Sequence, residues 1–65
     1  MIKINGEYIE NLTDKTVAAY LMESGYDINR VAVERNGDIL PKVQYDSTIL
    51  QDGDSVEIVS FVGGG

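Results

Sequence analysis

The chain closes on Phe61, Val62, Gly63, Gly64 and Gly65, and its terminal carboxylate is the one group that the sequence offers for chemistry. The 65 residues include no histidine and no cysteine. That removes the commonest general base, the commonest metal ligand and any thiol nucleophile together. No nucleophile–base pair is present, and no glycine-rich loop opens a helix to cradle phosphate. Three glycines leave nothing beside the carbonyl carbon of Gly65 to block attack. They also make a thin backbone, free to take φ values that other residues resist, which suits threading into a narrow channel. Extended, Gly63–Gly65 reach about 10 Å. The carboxylate, with a reference pKa of about 3.3–3.7, is ionised and unreactive at neutral pH. Activation requires an acyl adenylate made from ATP, and this chain carries no ATP site, so a partner is expected to supply it. No catalytic side chain, no metal site and no cofactor bound by this chain are expected. The competing reading is purely structural, a flexible tail on a small interaction domain.

The composition narrows the partners. Eleven acids stand against five bases, a net charge of −6, which argues against nucleic acid and suits a protein that meets basic protein surfaces. The start, "MIKINGEYIEN", is charged within three residues and lacks the apolar stretch of a signal peptide. No run approaches the length needed to cross a membrane. A cytoplasmic location and a free monomer are therefore expected. A chain this short makes a single domain with a small core, burying roughly 60% of the surface its unfolded form exposes.

The elements that must position the tail follow from periodicity. "MIKIN" alternates, with Ile2 and Ile4 inward; Asn5-Gly6 suits a two-residue hairpin turn; a second strand runs through Tyr8, Ile9 and Glu10 with Ile9 inward. "TDKTVAAYLMESGY" changes to helical spacing, with Val17, Tyr20 and Leu21 as a narrow apolar stripe. Thr16 is the best N-cap, with Thr13 and Asp14 as rivals, and Gly25 fits a left-handed residue beyond the helix end. Val31 and Val33 share one face of the next strand, Ala32 and Glu34 the other; Asn36-Gly37 turns into Ile39 and Leu40, and Pro41 closes that piece. "KVQYDSTIL" reads as a short helical turn with Val43, Ile49 and Leu50 plugging the end of the core. "QDGD" is a turn, and "SVEIVSFV" is the last and strongest strand.

This order of elements predicts an α+β fold of the β-grasp (ubiquitin-like) type: a mixed sheet of four to five strands, with one helix packed across one face. Residues 1–62 form the domain and 63–65 a flexible glycine tail. On the final strand Val56 and Ile58 point to the helix, leaving Glu57, Val59 and Phe61 on the opposite face. Val59 and Phe61, with Ala32 from a neighbouring strand, make a candidate partner-docking patch. The alternatives are that Phe61 covers the outer edge of the sheet or that the register slips by one. Asp52, Asp54 and Glu57, with Asp46 near them, read mainly as solvated residues, with a lesser role in steering toward a basic partner.

A short β-grasp chain ending "VEIVSFVGGG", with "RNGDILPK" and "LQDGDSVEIV" before it, resembles the ThiS family of sulfur carriers in thiamin biosynthesis. The likeness covers essentially the whole chain, with "TVAAYLMESG" at the family's helix and "VAVERNGDILPK" at its central hairpin. The resemblance implies that a ThiF-type adenylating enzyme activates Gly65 with ATP and magnesium. Sulfur from a cysteine desulfurase persulfide then converts the adenylate to a thiocarboxylate, which is donated to the thiazole synthase ThiG. By the same resemblance Gly64 is the other half of the family's Gly-Gly, and Gly63 falls at a variable position. It implies a protein cosubstrate, not an enzyme. Two related readings stay open: a carrier of the molybdopterin or another sulfur pathway, and a ubiquitin-like modifier that conjugates to lysines.

Overall fold

A computed structural model describes residues 1–61. Its elements run β1 (Ile2–Ile4), β2 (Glu7–Ile9), α1 (Val17–Glu23), a 3-10 turn at Ile28–Arg30, β3 (Val31–Arg35), β4 (Asp38–Leu40), a second 3-10 turn at Lys42–Gln44 and β5 (Ser55–Ser60). The strands form one mixed sheet in the order β2-β1-β5-β3-β4. β5 lies at its centre, parallel to β1 and antiparallel to β3. With a single α-helix packed on one face, this is the β-grasp expected from the sequence.

Both Asn-Gly pairs make two-residue hairpin loops, and each residue has positive φ: 50° and 85° at Asn5 and Gly6, 53° and 88° at Asn36 and Gly37. That is the geometry whose twist matches paired strands. The two asparagine side chains also tie their hairpins to β5. Asn5 Oδ1 accepts from the Ile58 amide at 2.7 Å, and Asn36 Oδ1 accepts from the Ser55 amide at 2.9 Å.

Thr16 caps α1, its hydroxyl accepting from the Ala19 amide at 3.0 Å. The other end closes with Gly25 at φ 83°, its amide donating to the Met22 carbonyl and that of Tyr26 to the Leu21 carbonyl. These paired bonds satisfy carbonyls that a helix end otherwise leaves open. A helix of seven residues is too short to persist alone; packing holds it. Val17, Ala18 and Leu21 are buried, and Tyr20 is only partly so. Val17 and Leu21 are thus buried as expected, with Ala18 joining them and Tyr20 packing against the edge of the core.

The core joins these residues to Ile2, Ile4, Val33, Val56 and Ile58 from the sheet. The irregular segment 42–50 differs from expectation. Leu50 is buried as expected, yet Val43 is 89% exposed and Ile49 48%. Tyr45 takes the place in the core instead, at 4% exposure, because the 3-10 turn after Pro41 projects Val43 outward. The turn also sets the Tyr45 carbonyl to accept from the Ala18 amide at 3.0 Å, joining the segment to the start of α1.

Candidate functional site

β5 delivers the site. Its burial alternates over Ser55–Ile58, with Val56 and Ile58 buried and Ser55 and Glu57 exposed; Val59 and Ser60 that follow are both exposed. Val59 is 56% exposed and lies directly opposite Ala32 in the β3–β5 register. Phe61 is 59% exposed, immediately beyond the strand. Val59 and Ala32 are thus brought together as the alternation requires, and Phe61 is exposed one residue beyond the end of the strand. The regular strand ends at Ser60, short of the run through Val62 that the sequence suggests. Val62, Gly63, Gly64 and Gly65 lie outside the described residues, as does the proposed boundary between domain and tail.

The root of that segment is held by the backbone. The Phe61 amide donates to the Arg30 carbonyl at 2.7 Å, one step past the Val31–Ser60 pair. Arg30 ends the 3-10 turn that opens at Asp27, whose carboxylate accepts from the Asn29 amide at 2.9 Å. This turn has no apolar period of its own, and the sequence reading missed it. Two further exposed residues share the bare face, Tyr8 through its pairing with Lys3 and Ile39 through its pairing with Glu34. Their alternation with inward Ile9 and Leu40 is the pattern that could have found them.

The acids do not gather into one cluster. Asp52 pairs with the amino group of Met1. Glu57 stands on the bare face, directly opposite Glu34. Asp54, expected to be solvated, is 6% exposed on the helix side. The reason is its bonding: the carboxylate accepts from the Gln51 amide at 2.9 Å, Arg35 Nε at 3.0 Å and Asn36 Nδ2 at 3.1 Å. Burial alone pushes its pKa up, but those donors, with the Arg35 charge, outweigh burial and hold it below the ordinary aspartate value of 3.8.

A carboxyl group that is more acidic when folded stabilises the fold above its unfolded pKa. That contribution is lost as pH falls from about 3.8 through the lower folded value. We expect wild-type stability in urea to fall more steeply than that of Asp54→Asn over this window. At neutral pH the variant should be less stable by about 1–3 kcal/mol. Parallel pH profiles would show instead that Asp54 is not held by these bonds.

Among the described residues no group of three or more acidic side chains is placed to hold a metal, and no pocket is present. No helix there is long and apolar enough to cross a membrane.

Fold and site together define a ubiquitin-like β-grasp domain whose central strand leads from a bare, partly apolar sheet face into the chain's final residues. The family model that matches is the ThiS family, over residues 2–65, and the chain belongs to that family. It is 38% identical to the sulfur carrier protein ThiS of Bacillus subtilis, with each chain covered over its full length. The crystal structure of the thiamine biosynthesis protein ThiS from Geobacter metallireducens is similar at a TM-score of 0.76 and 31% identity, covering 98% of this chain and 97% of that one. A thiazole synthase of Paramagnetospirillum magneticum is 50% identical over 95% of this chain. The chain spans only 19% of that relative's length, and 20% of a second thiazole synthase, from Magnetococcus marinus.

Proposed function

We propose that this protein is a sulfur carrier of thiamin biosynthesis, in which the Gly65 carboxylate is the atom group that is loaded. Membership of the ThiS family is the observation that carries this reading. The absence of histidine and cysteine supports it, since the sulfur then rides on a carboxyl group and no side chain has to react. A ThiF-type enzyme attaches AMP from ATP to the carboxylate, with pyrophosphate leaving, and magnesium serves that enzyme. A persulfide sulfur supplied by a cysteine desulfurase displaces AMP. A second thiol then cleaves the sulfur–sulfur bond and frees the thiocarboxylate for the thiazole synthase ThiG. The two thiazole synthases that include a stretch similar to this chain support ThiG as the acceptor.

In this reading the domain presents and the glycines deliver. Val59, Phe61 and Ala32 dock the partner, Gly63 and Gly64 thread its channel, and Gly65 reacts. Apolar anchors beside a chain end fix the direction in which that end enters. We expect Phe61→Ala to weaken binding to the activating enzyme by about tenfold or more. Folding stability should change by less than about 1 kcal/mol, because the ring is more than half exposed. The opposite ranking, measured by titration calorimetry and urea unfolding, would show that Phe61 serves the fold and not the partner. Reconstitution with ThiF, a desulfurase, ATP and ThiG tests the function itself: thiazole formation is expected to depend on this chain. Lysine-linked adducts in its place would make the protein a modifier.

A further inference from the structure

The two Asn-Gly loops carry a reactivity besides their turn geometry. The backbone nitrogen that follows an asparagine can attack the side-chain Cγ, and glycine, with no side chain of its own, hinders that attack least. Of the four asparagines only Asn5 and Asn36 precede glycine; Leu12 follows Asn11 and Arg30 follows Asn29. Asn5, Gly6, Asn36 and Gly37 are all exposed. A Cβ built on Gly6 or Gly37 meets nothing within 4 Å, so neighbours crowd neither loop. An acid follows each pair, Glu7 and Asp38. Local sequence therefore makes the two sites nearly alike.

Tertiary bonds separate them. Attack requires the side chain to turn back over its own loop, whereas both side chains are held against β5. At Asn36 both ends of the amide are engaged. Its Oδ1 accepts from the Ser55 amide at 2.9 Å, and its Nδ2 donates to the Asp54 carboxylate at 3.1 Å. That carboxylate also opposes the negative charge that gathers on the amide oxygen during attack. At Asn5 one bond holds the side chain among the described residues, Oδ1 accepting from the Ile58 amide at 2.7 Å.

We propose that Asn5-Gly6 is a spontaneous deamidation site of the folded protein, and that the Asp54 contact keeps Asn36-Gly37 intact. The Gly6 nitrogen bonds to Cγ of Asn5, the Cγ–Nδ2 bond breaks, and ammonia leaves with the proton of the Gly6 amide. Water then opens the cyclic imide. Cleavage between Cγ and the Gly6 nitrogen gives aspartate. Cleavage between that nitrogen and the main-chain carbonyl carbon gives isoaspartate, whose backbone is longer by one carbon. Water is the only co-reactant, and nothing is oxidised or reduced. Aspartate keeps an oxygen for the Ile58 amide and is tolerated. Isoaspartate draws that oxygen into the main chain and breaks the tie between the β1–β2 loop and β5. This chemistry is independent of the carrier function.

The test is to hold the purified protein at mildly alkaline pH and then digest it at lysine and arginine. Asn5 falls in peptide 4–15 and Asn36 in peptide 36–42; each event exchanges NH for O in the mass, and fragmentation locates it. In the folded protein Asn5 should convert about tenfold faster than Asn36. In urea the two rates should converge. Asp54→Ala should bring the rate at Asn36 toward that at Asn5 and leave Asn5 unchanged. Asn36→Asp, which sets a carboxylate against Asp54, should lower Tm by several degrees, whereas Asn5→Asp should hold it within about 2 °C. Conversion of Asn36 as fast as Asn5 in the folded wild type would overturn the inference. So would an Asn5 that converts in urea but not in the folded chain. An unchanged rate at Asn36 in folded Asp54→Ala would overturn the role given to Asp54; should that variant not fold, the wild-type ranking decides alone.

Discussion

Deleting Gly65 is expected to abolish sulfur loading while leaving Tm within about a degree of the wild type. The truncated chain would end one residue short, by about 3.3–3.6 Å. A misplacement of about 1 Å at a reacting centre can already cost about 10²-fold. The loss should therefore exceed roughly 10²-fold in the rate of pyrophosphate release with the activating enzyme. Stability should not follow, because among the described residues the last member of the buried core is Ile58, and glycine has no side chain to bury. Retained loading would place the reactive group elsewhere. A large fall in Tm would mean that the terminal residue serves the fold.

Leu21→Ala should have the opposite profile. Leu21 is the fully buried residue of α1, in one core cluster with Ile2, Ile4, Val33, Val56 and Ile58 of the sheet. Truncating such a leucine removes its transfer free energy and leaves a cavity, at a cost of about 2–5 kcal/mol. A domain of this length has roughly 3–10 kcal/mol in total, so the variant is expected to be partly unfolded at 37 °C. Val43→Ala, at an 89% exposed position, should stay within about 0.5 kcal/mol of the wild type. Urea unfolding of both variants checks the pair of expectations. Equal effects would mean that Val43 contributes to the core as the sequence suggested or that α1 does not pack as described.

The contrast between Leu21 and Val43 marks where the sequence is readable. Elements with a period or a special turn announce themselves: alternation in β1, β3 and β5, the two Asn-Gly loops, the Thr16 cap and the Gly25 closure. Each is a local requirement that few residues meet. Segment 42–50 has no period, so whether Val43 or Tyr45 enters the core depends on how a 3-10 turn is oriented by contacts distant in sequence. Asp54 was misread for the same reason. Its burial rests on Arg35 and Asn36, nearly twenty residues away in the chain, and no local pattern records that meeting. At the site, alternation alone placed Val59 and Ala32 on the bare face. The facing of Glu34 and Glu57 needed the register between β3 and β5, which alternation leaves open by steps of two. The 3-10 turn that offers the Arg30 carbonyl to Phe61 likewise becomes visible only in three dimensions.

The central claim is that the carboxyl end of this chain carries sulfur. Its most direct test is the intact mass of the protein after incubation with its ThiF-type enzyme, ATP, magnesium and a desulfurase with cysteine, followed by fragmentation. A mass gain of one oxygen-for-sulfur exchange, located at Gly65, is the predicted result. An unchanged mass while the activating enzyme is demonstrably forming the adenylate, or sulfur found on any other residue, would contradict it.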